Sequence, residues 1–285
     1  MSSTNVTFRE KKDAEASFLP SYYYSPRKDG RKEEEAETLR KAEELEIPDG
    51  VEEIGNYTFY GCFGMKKLKF TDSLKRIGGG SFTGCSALRR LEVKMKKGGR
   101  SCIRDVVAET FHEVYVKIVY RETGEEVHVI FPEYYEEGVE NTPARILETH
   151  FHGTGYRYRQ CFKDKKLDLH EYDGLFELAT ANEKEEILIE MALGRLLFPS
   201  ELTKQADLHY TAYLKQRLQK ICTMYLKEEC WAGILAFLMD HIVTEKEEAD
   251  LLLDAAANGK HTEAVSFLME EKRRKFGRTV KSFEF

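Results

Sequence analysis

The six cysteines, at positions 62, 85, 102, 161, 222 and 230, include no Cys-x-x-Cys pair. That argues against a disulfide frame or a paired-cysteine metal cluster, and it predicts free, mostly buried thiols in a reducing compartment. Long hydrophobic runs are missing too. The longest, Trp231 to Met239, is about half of what a bilayer crossing needs. The opening MSSTNVTFREKKDAEAS lacks the apolar core of a signal peptide, so a cytoplasmic protein is expected, with no membrane partner. There is no basic stripe either. The net charge is −6 with acids and bases interleaved, which excludes nucleic acid as the expected partner. The glycine-rich GTGYRYRQCF (153–162) neither follows a strand nor opens a helix, as a phosphate loop must. No cofactor and no catalytic residue is therefore expected.

What the chain does contain is a repeat. Its 285 residues, 41% hydrophobic and 33% charged, are long enough for two modest domains. The segment LEIPDGVEEIGNYTFYGCFGMKK (45–67) aligns without a gap on LKFTDSLKRIGGGSFTGCSALRR (68–90). Leu45 lies over Leu68, Ile47 over Phe70, Ile54-Gly55 over Ile77-Gly78, Phe59 over Phe82 and Gly61-Cys62 over Gly84-Cys85. Leu91 and Val93 open a third turn in phase.

Each column has a physical reading. Leu45-x-Ile47 alternates as a short strand with Glu46 outward, and Pro48-Asp49-Gly50 turns the chain. Phe59 fills the middle, Gly61 allows a sharp bend, and Cys62 is small enough to bury beside it. Burying about six side chains yields roughly 9–18 kcal/mol, whereas ordering a turn costs on the order of 35 kcal/mol. Turns must therefore stack and their ends must be capped. The pattern resembles the BspA-type leucine-rich repeats common in bacteria, whose units read approximately L-x-x-I-x-I-P-x-x-V-x-x-I-G-x-x-A-F-x-G-C. The resemblance covers about 45–95. It departs at Thr71, in place of proline, and at Thr58 and Ser81, in place of alanine. It implies a solenoid that binds other macromolecules, many relatives acting at cell surfaces.

A step of 23 residues back from Leu45 and Ile47 reaches Tyr22 and Tyr24, which predicts a degenerate first turn capped by the charged helix RKEEEAETLRKAEE. Beyond the repeat, SCIRDVVAETFH reads as a short helix, and VYVKIVY and VHVIFP as a β-hairpin. ENTPARILETHFHG reads as a helix with Thr142 as cap, Pro143 at its first position and Gly153 at its end. From ANEKEEILIEMALGRLL onward the chain reads as helical, with Asn182, Ser200 and Thr244 as caps and Glu247 completing a capping box. ILAFLMD (234–240) matches AVSFLME (264–270) thirty residues on, similar to ankyrin or related helical-hairpin repeats but without the TPLH signature. The expected fold is α+β: a flexible leader (1–19), a capped leucine-rich solenoid (20–100), a helix and β-hairpin junction (101–165), and a helical-repeat domain (166–285).

Two candidate surfaces follow. Outward strand positions Glu44, Glu46, Lys67, Lys69, Arg90 and Glu92 recur every 23 residues, a mixed-charge ladder with strands about 5 Å apart. Tyr156, Arg157, Tyr158 and Arg159 form either a structural loop, the simpler reading, or a recognition surface of the residue types favoured at interfaces. His150 and His152 are the most enzyme-like pair, with His170 and Cys161 as possible further ligands. On a helix, however, two such histidines diverge by about 200°, so no metal site is expected. The basic KRRKFGR complements the end of the last helix. The reading is a non-enzymatic intracellular scaffold or adaptor with an unidentified protein partner. The alternatives are a cell-surface adhesin-like repeat protein or a metal-dependent hydrolase using His150 and His152.

Overall fold

The computed structural model describes residues 5–7, 18–19, 40–141 and 146–277, in two compact units, Met1–Leu202 and Thr203–Phe285. The fold is α+β. A parallel-strand solenoid of about three turns over residues 44–120 precedes a region with nine α-helices among the described residues.

In the first unit, β1 (Asn5–Thr7), β3 (Glu44–Glu46), β5 (Lys67–Thr71), β7 (Arg90–Met95) and β8 (Val114–Tyr120) run parallel in that spatial order. The predicted step of 23 is the observed register: Leu45 pairs with Leu68 and Leu68 with Leu91, all buried. A second sheet stacks β2 (Phe18–Leu19), β4 (Glu53–Ile54) and β6 (Arg76–Ile77).

Between the sheets the turns are fused by backbone hydrogen bonds. Phe59 N–H donates to Ser81 O at 3.1 Å and Gly61 N–H to Thr83 O at 2.9 Å. Gly61 (φ 70°) and Gly84 (φ 81°) occupy the left-handed region, where a side chain is strained. Phe59 and Phe82 pack with ring centroids 5.5 Å apart, and the Cys85 thiol donates to Phe59 O at 3.2 Å.

The departures from the repeat pattern are accounted for by hydrogen bonds. The hydroxyls of Thr58 and Ser81, both buried, each donate to Gly55 O at 2.8 Å. Thr71 donates to Asp49 Oδ1 at 2.8 Å across the turns, and this bond is the main reason the Asp49 carboxyl titrates below its usual range.

The N-terminal side differs from expectation. The strand beside β3 is Asn5–Thr7, 39 residues upstream of its partners by pairing of Val6 with Leu45, rather than one at Tyr22 and Tyr24, which lie outside the described residues. The stretch read as a flexible leader thus contributes β1 and β2, which cover backbone edges of both sheets.

On the other side α1 (Ile103–Ala108) takes the place of a further turn, burying Cys102, Ile103, Val106 and Val107. Just after it, the Glu109 carboxylate accepts from Gly80 N–H (2.8 Å) and Phe82 N–H (2.6 Å), donors that another turn's backbone would otherwise satisfy. The predicted hairpin is present as β8 and β9 (Glu126–Phe131), and it extends the solenoid sheet. At β9 the Tyr172 hydroxyl accepts from Ile130 N–H (2.9 Å) and donates to Ile130 O (2.7 Å), so a side chain occupies the open edge.

The helix predicted for 142–153 is instead a strand. β10 (Tyr135–Asn141) and β11 (Ile146–His152) pair antiparallel; Thr142 and Pro143 lie outside the described residues. Short elements follow: α2 (Gly155–Tyr158), the pair β12 (Phe162–Lys163) and β13 (Lys166–Leu167), α3 (Leu169–Gly174) and α4 (Phe176–Thr180). Then comes α5 (Glu185–Leu197), whose N-cap is Lys184 rather than Asn182. The helices from 169 to 197 belong to the first unit, so the boundary expected at 165/166 falls inside it.

The second unit contains α6 (Lys204–Lys215), α7 (Leu218–Tyr225), α8 (Trp231–Phe237) continuing into a π-turn (Leu238–Ile242), α9 (Lys246–Asn258) and α10 (Thr262–Phe276). Thr203 rather than Ser200 caps α6, and the capping box of α9 is Glu245 with Glu248, one residue later than Thr244 with Glu247. Residues thirty apart in this unit touch or are buried alike. The Cys222 thiol donates to Leu252 O at 3.5 Å, Trp231 meets His261 at 5.0 Å, and Ile234, Leu238, Ala264 and Leu268 are all buried. The basic end of α10 is tied to its neighbours, Lys272 to Asp250, Arg274 to Asp240 (2.6 Å) and Lys275 to Met239 O.

Candidate functional site

Strand alternation turns Leu45, Leu68, Leu91 and Val116 into the solenoid and leaves their neighbours outward. The outward rows read Glu44–Lys67–Arg90–Tyr115 and Glu46–Lys69–Glu92–Lys117. All six predicted ladder residues therefore share one face. Sequence periodicity missed Lys117, because the pairing step from β7 to β8 is 25 residues rather than 23, and Glu126, because β9 joins the sheet antiparallel.

The face is cross-linked along its diagonals. Lys67 pairs with Glu92 at 2.6 Å, Lys69 with Glu44, and Lys117 with Glu126 at 2.6 Å. The hydrogen bond from Lys67 holds the Glu92 carboxyl below its usual range, and the bond to Glu44 raises the Lys69 ammonium. These pairs are partly solvated, so each contributes at most about 1 kcal/mol and exchanges readily for a partner's charges. Among the described residues, exposed Glu46, Arg90 and Lys94 make no ion pair.

One end of the face is closed. The Tyr115 hydroxyl donates to Glu190 of α5 at 2.6 Å, and the His128 ring stacks on Phe198 at 3.7 Å. Burial there pushes the His128 imidazole below its ordinary pKa, against the opposing pull of Glu126. The open area thus spans β3, β5 and β7, with α5 covering the outer side of β8 and β9.

The second predicted group does not form one surface. Tyr158 and Arg159 are buried, which removes them as contact residues; Arg157 is exposed and Tyr156 half-buried. Tyr156 stacks on Phe151 at 3.8 Å, and the two line a shallow cleft of about 500 Å³ with Arg157, Gln160 and Glu171. Phe151 and Glu171 were not singled out from the sequence, since the helical reading of 142–153 hid the strand that places Phe151.

His150 and His152 lie on β11, so the argument that a helix separates them does not apply. Among the described residues no group of three or more His, Cys, Asp or Glu side chains could hold a metal ion, and no helix is long and apolar enough to cross a membrane.

Five cysteines are buried and Cys230 is exposed. Burial pushes the thiols of Cys62 and Cys222 up to about 11 and those of Cys85, Cys102 and Cys161 up to about 12, so almost none is thiolate at neutral pH. DTNB added to the native protein is expected to react rapidly with one thiol, lost in Cys230→Ser, and with all six in denaturant. Two or more fast thiols would contradict the packing described.

Comparison with known families supports the solenoid. Residues 37–108 match the family model of the BspA type leucine rich repeat region, in six copies. That segment is therefore similar to a leucine-rich repeat solenoid of the BspA type. No curated protein and no solved structure matches the chain.

Proposed function

We propose that this protein is a non-enzymatic, intracellular interaction scaffold whose open strand face binds a protein partner. The observation that carries the reading is the register itself. Three parallel strands hold Glu44, Glu46, Lys67, Lys69, Arg90 and Glu92 on one regular face over a fused core. A partner with acids opposite Arg90 and Lys94 and a base opposite Glu46 meets complementary charge, which sets specificity and association rate more than affinity. The match to a repeat family associated with macromolecular binding supports the same reading. The free, buried thiols suit a reducing compartment.

The test is a double charge reversal, Lys69→Glu with Arg90→Glu, compared with Glu263→Lys in α10. Both variants should keep the native circular dichroism spectrum, since exposed pairs contribute at most about 1 kcal/mol each. The partner recovered by affinity capture with wild type should be retained by Glu263→Lys and bound at least about tenfold more weakly by the double variant. Equal binding by all three proteins would remove the strand face as the interface.

A further inference from the structure

The cleft of about 500 Å³ is lined from three short segments of the chain. Tyr156 and Gln160 are four residues apart along α2 and its continuation, with Arg157 three before Gln160, so one helical turn brings all three to the same opening. Glu171 and Leu175 are likewise four apart, on α3 and at its end. β11 adds Phe151, which lies between His150 and His152 and so on the opposite face of the strand from both.

The lining is of two kinds. One part is aromatic and firmly backed. Phe151 stacks on Tyr156 at 3.8 Å with 19° between planes, and Tyr134 lies against the two rings at 6.4 and 5.9 Å. Tyr134 is itself held under the Arg159 guanidinium at 4.8 Å. Phe151 nevertheless stays 40% exposed and Leu175 half-buried, so apolar surface remains at the opening. The other part is polar and unused. Among the described residues the side chains of Arg157, Gln160 and Glu171, all exposed, make no ion pair and no hydrogen bond. On the strand face, by contrast, Lys67, Lys69 and Lys117 are each paired with a carboxylate. A cation and an anion that line one cleft without meeting leave both charges to an incoming molecule.

A pocket of this size that joins an apolar wall to a few polar groups has the usual form of a small-molecule site. We propose that the cleft binds a small zwitterion of the α-amino-acid class with an aromatic or branched apolar side chain. Its carboxylate accepts from the Arg157 guanidinium, a fit of planar groups, and its ammonium donates to the Glu171 carboxylate. Its side chain packs against Phe151 and Leu175. The Gln160 amide, donor and acceptor at once, serves either end. A sugar would offer the rings an apolar face but would leave both charges without a counter-charge, and a segment inside a peptide chain has neither charged end. The cleft shares no residue with the strand face, and its occupancy does not depend on that face binding a partner.

NMR titration of the full chain with L-phenylalanine is expected to show saturable binding. N-acetyl-L-phenylalanine, which lacks the ammonium, and L-phenylalanine amide, which lacks the carboxylate, should each bind about 10–100-fold more weakly, the usual worth of a hydrogen bond to a charged group. Arg157→Gln should lose the preference over the amide and keep that over the N-acetyl form. Glu171→Gln should do the reverse, and Glu263→Lys, in α10, should behave as wild type. Both cleft substitutions are at exposed positions, and matching circular dichroism spectra will show that the fold is kept. The proposal is overturned if the wild type binds none of the three compounds, or if the blocked forms bind as tightly as phenylalanine. It is equally overturned if Arg157→Gln and Glu171→Gln keep the wild-type preferences, which would put the binding elsewhere.

Discussion

Asp173→Asn is expected to lower the stability of the Met1–Leu202 unit by about 3–5 kcal/mol, the usual cost of breaking a buried ion pair. Arg195 is fully buried and its partner nearly so. The guanidinium donates from Nε to Asp173 Oδ1 at 2.7 Å and from Nη2 to Oδ2 at 2.9 Å, a two-point fit of planar groups. Nη2 also donates to Ser200 O at 3.0 Å, so one side chain joins α3, α5 and the segment after α5. Removing the carboxylate takes the paired anion away from a cation that has no exposure to water. Arg195→Met should be comparably harmful, because it strands the anion. The double variant Asp173→Leu/Arg195→Met should recover much of the loss, since an apolar replacement of both partners leaves neither charge unpaired. Denaturant unfolding followed by circular dichroism reads the effect. The single tryptophan, Trp231, is in the second unit and does not report on this one directly. Single variants within about 1 kcal/mol of wild type would refute the assignment.

Arg159→Met is expected to cost at least about 4 kcal/mol, because it strips hydrogen bonds from several buried carbonyls, each worth about 1–3 kcal/mol. The guanidinium donates to the carbonyls of Val107 (2.9 Å), Thr110 (3.0 Å), His112 (2.7 Å), Pro132 (2.5 Å) and Gly155 (3.0 Å), and lies over the Tyr134 ring at 4.8 Å. Burial lowers its pKa to about 10, which still leaves it charged at neutral pH. It joins the end of α1, the end of β9 and the start of α2. Arg159→Lys should rescue only part of the loss, since three donors on a point charge cannot serve five acceptors spread in a plane. Thermal unfolding should fall by roughly 8–16 °C for Arg159→Met in a unit of this size. An unchanged midpoint would mean that the carbonyls find other donors.

The solenoid was legible because its information is local and repeated. Leu45, Ile54, Phe59 and Gly61 recur at one spacing, and the observed pairing keeps that spacing from β3 to β7. The candidate face followed directly, since alternation fixes which side chains turn outward. Legibility ended where the chain left the period. Ile146, Leu147 and Phe151 fit a helical spacing, but the segment pairs over its whole length with Tyr135–Asn141 and is a strand. Pairing with the neighbouring strand outweighs local propensity, and a reading of 142–153 by itself leaves that partner out. The same limit hid Asn5–Thr7, whose partner strand lies 39 residues away across an interval that breaks the repeat.

Arg159 shows the limit at a single residue. An arginine beside two tyrosines has the composition of an interface anchor, and only the convergence of five carbonyls from separate segments makes it an interior tie. His150 and His152 show the reverse. Read on a helix they point apart, and only the strand conformation of β11 puts both on one face. By itself the amino-acid sequence determined the solenoid turn, its period, its buried cysteines and its charged outer ladder, because those depend on contacts between equivalent positions. Tertiary structure alone decided how the solenoid ends, which arginines are interior, and that His152 meets Glu137 across a two-stranded ribbon. Those outcomes depend on segments distant in the chain supplying each other's missing hydrogen-bond partners.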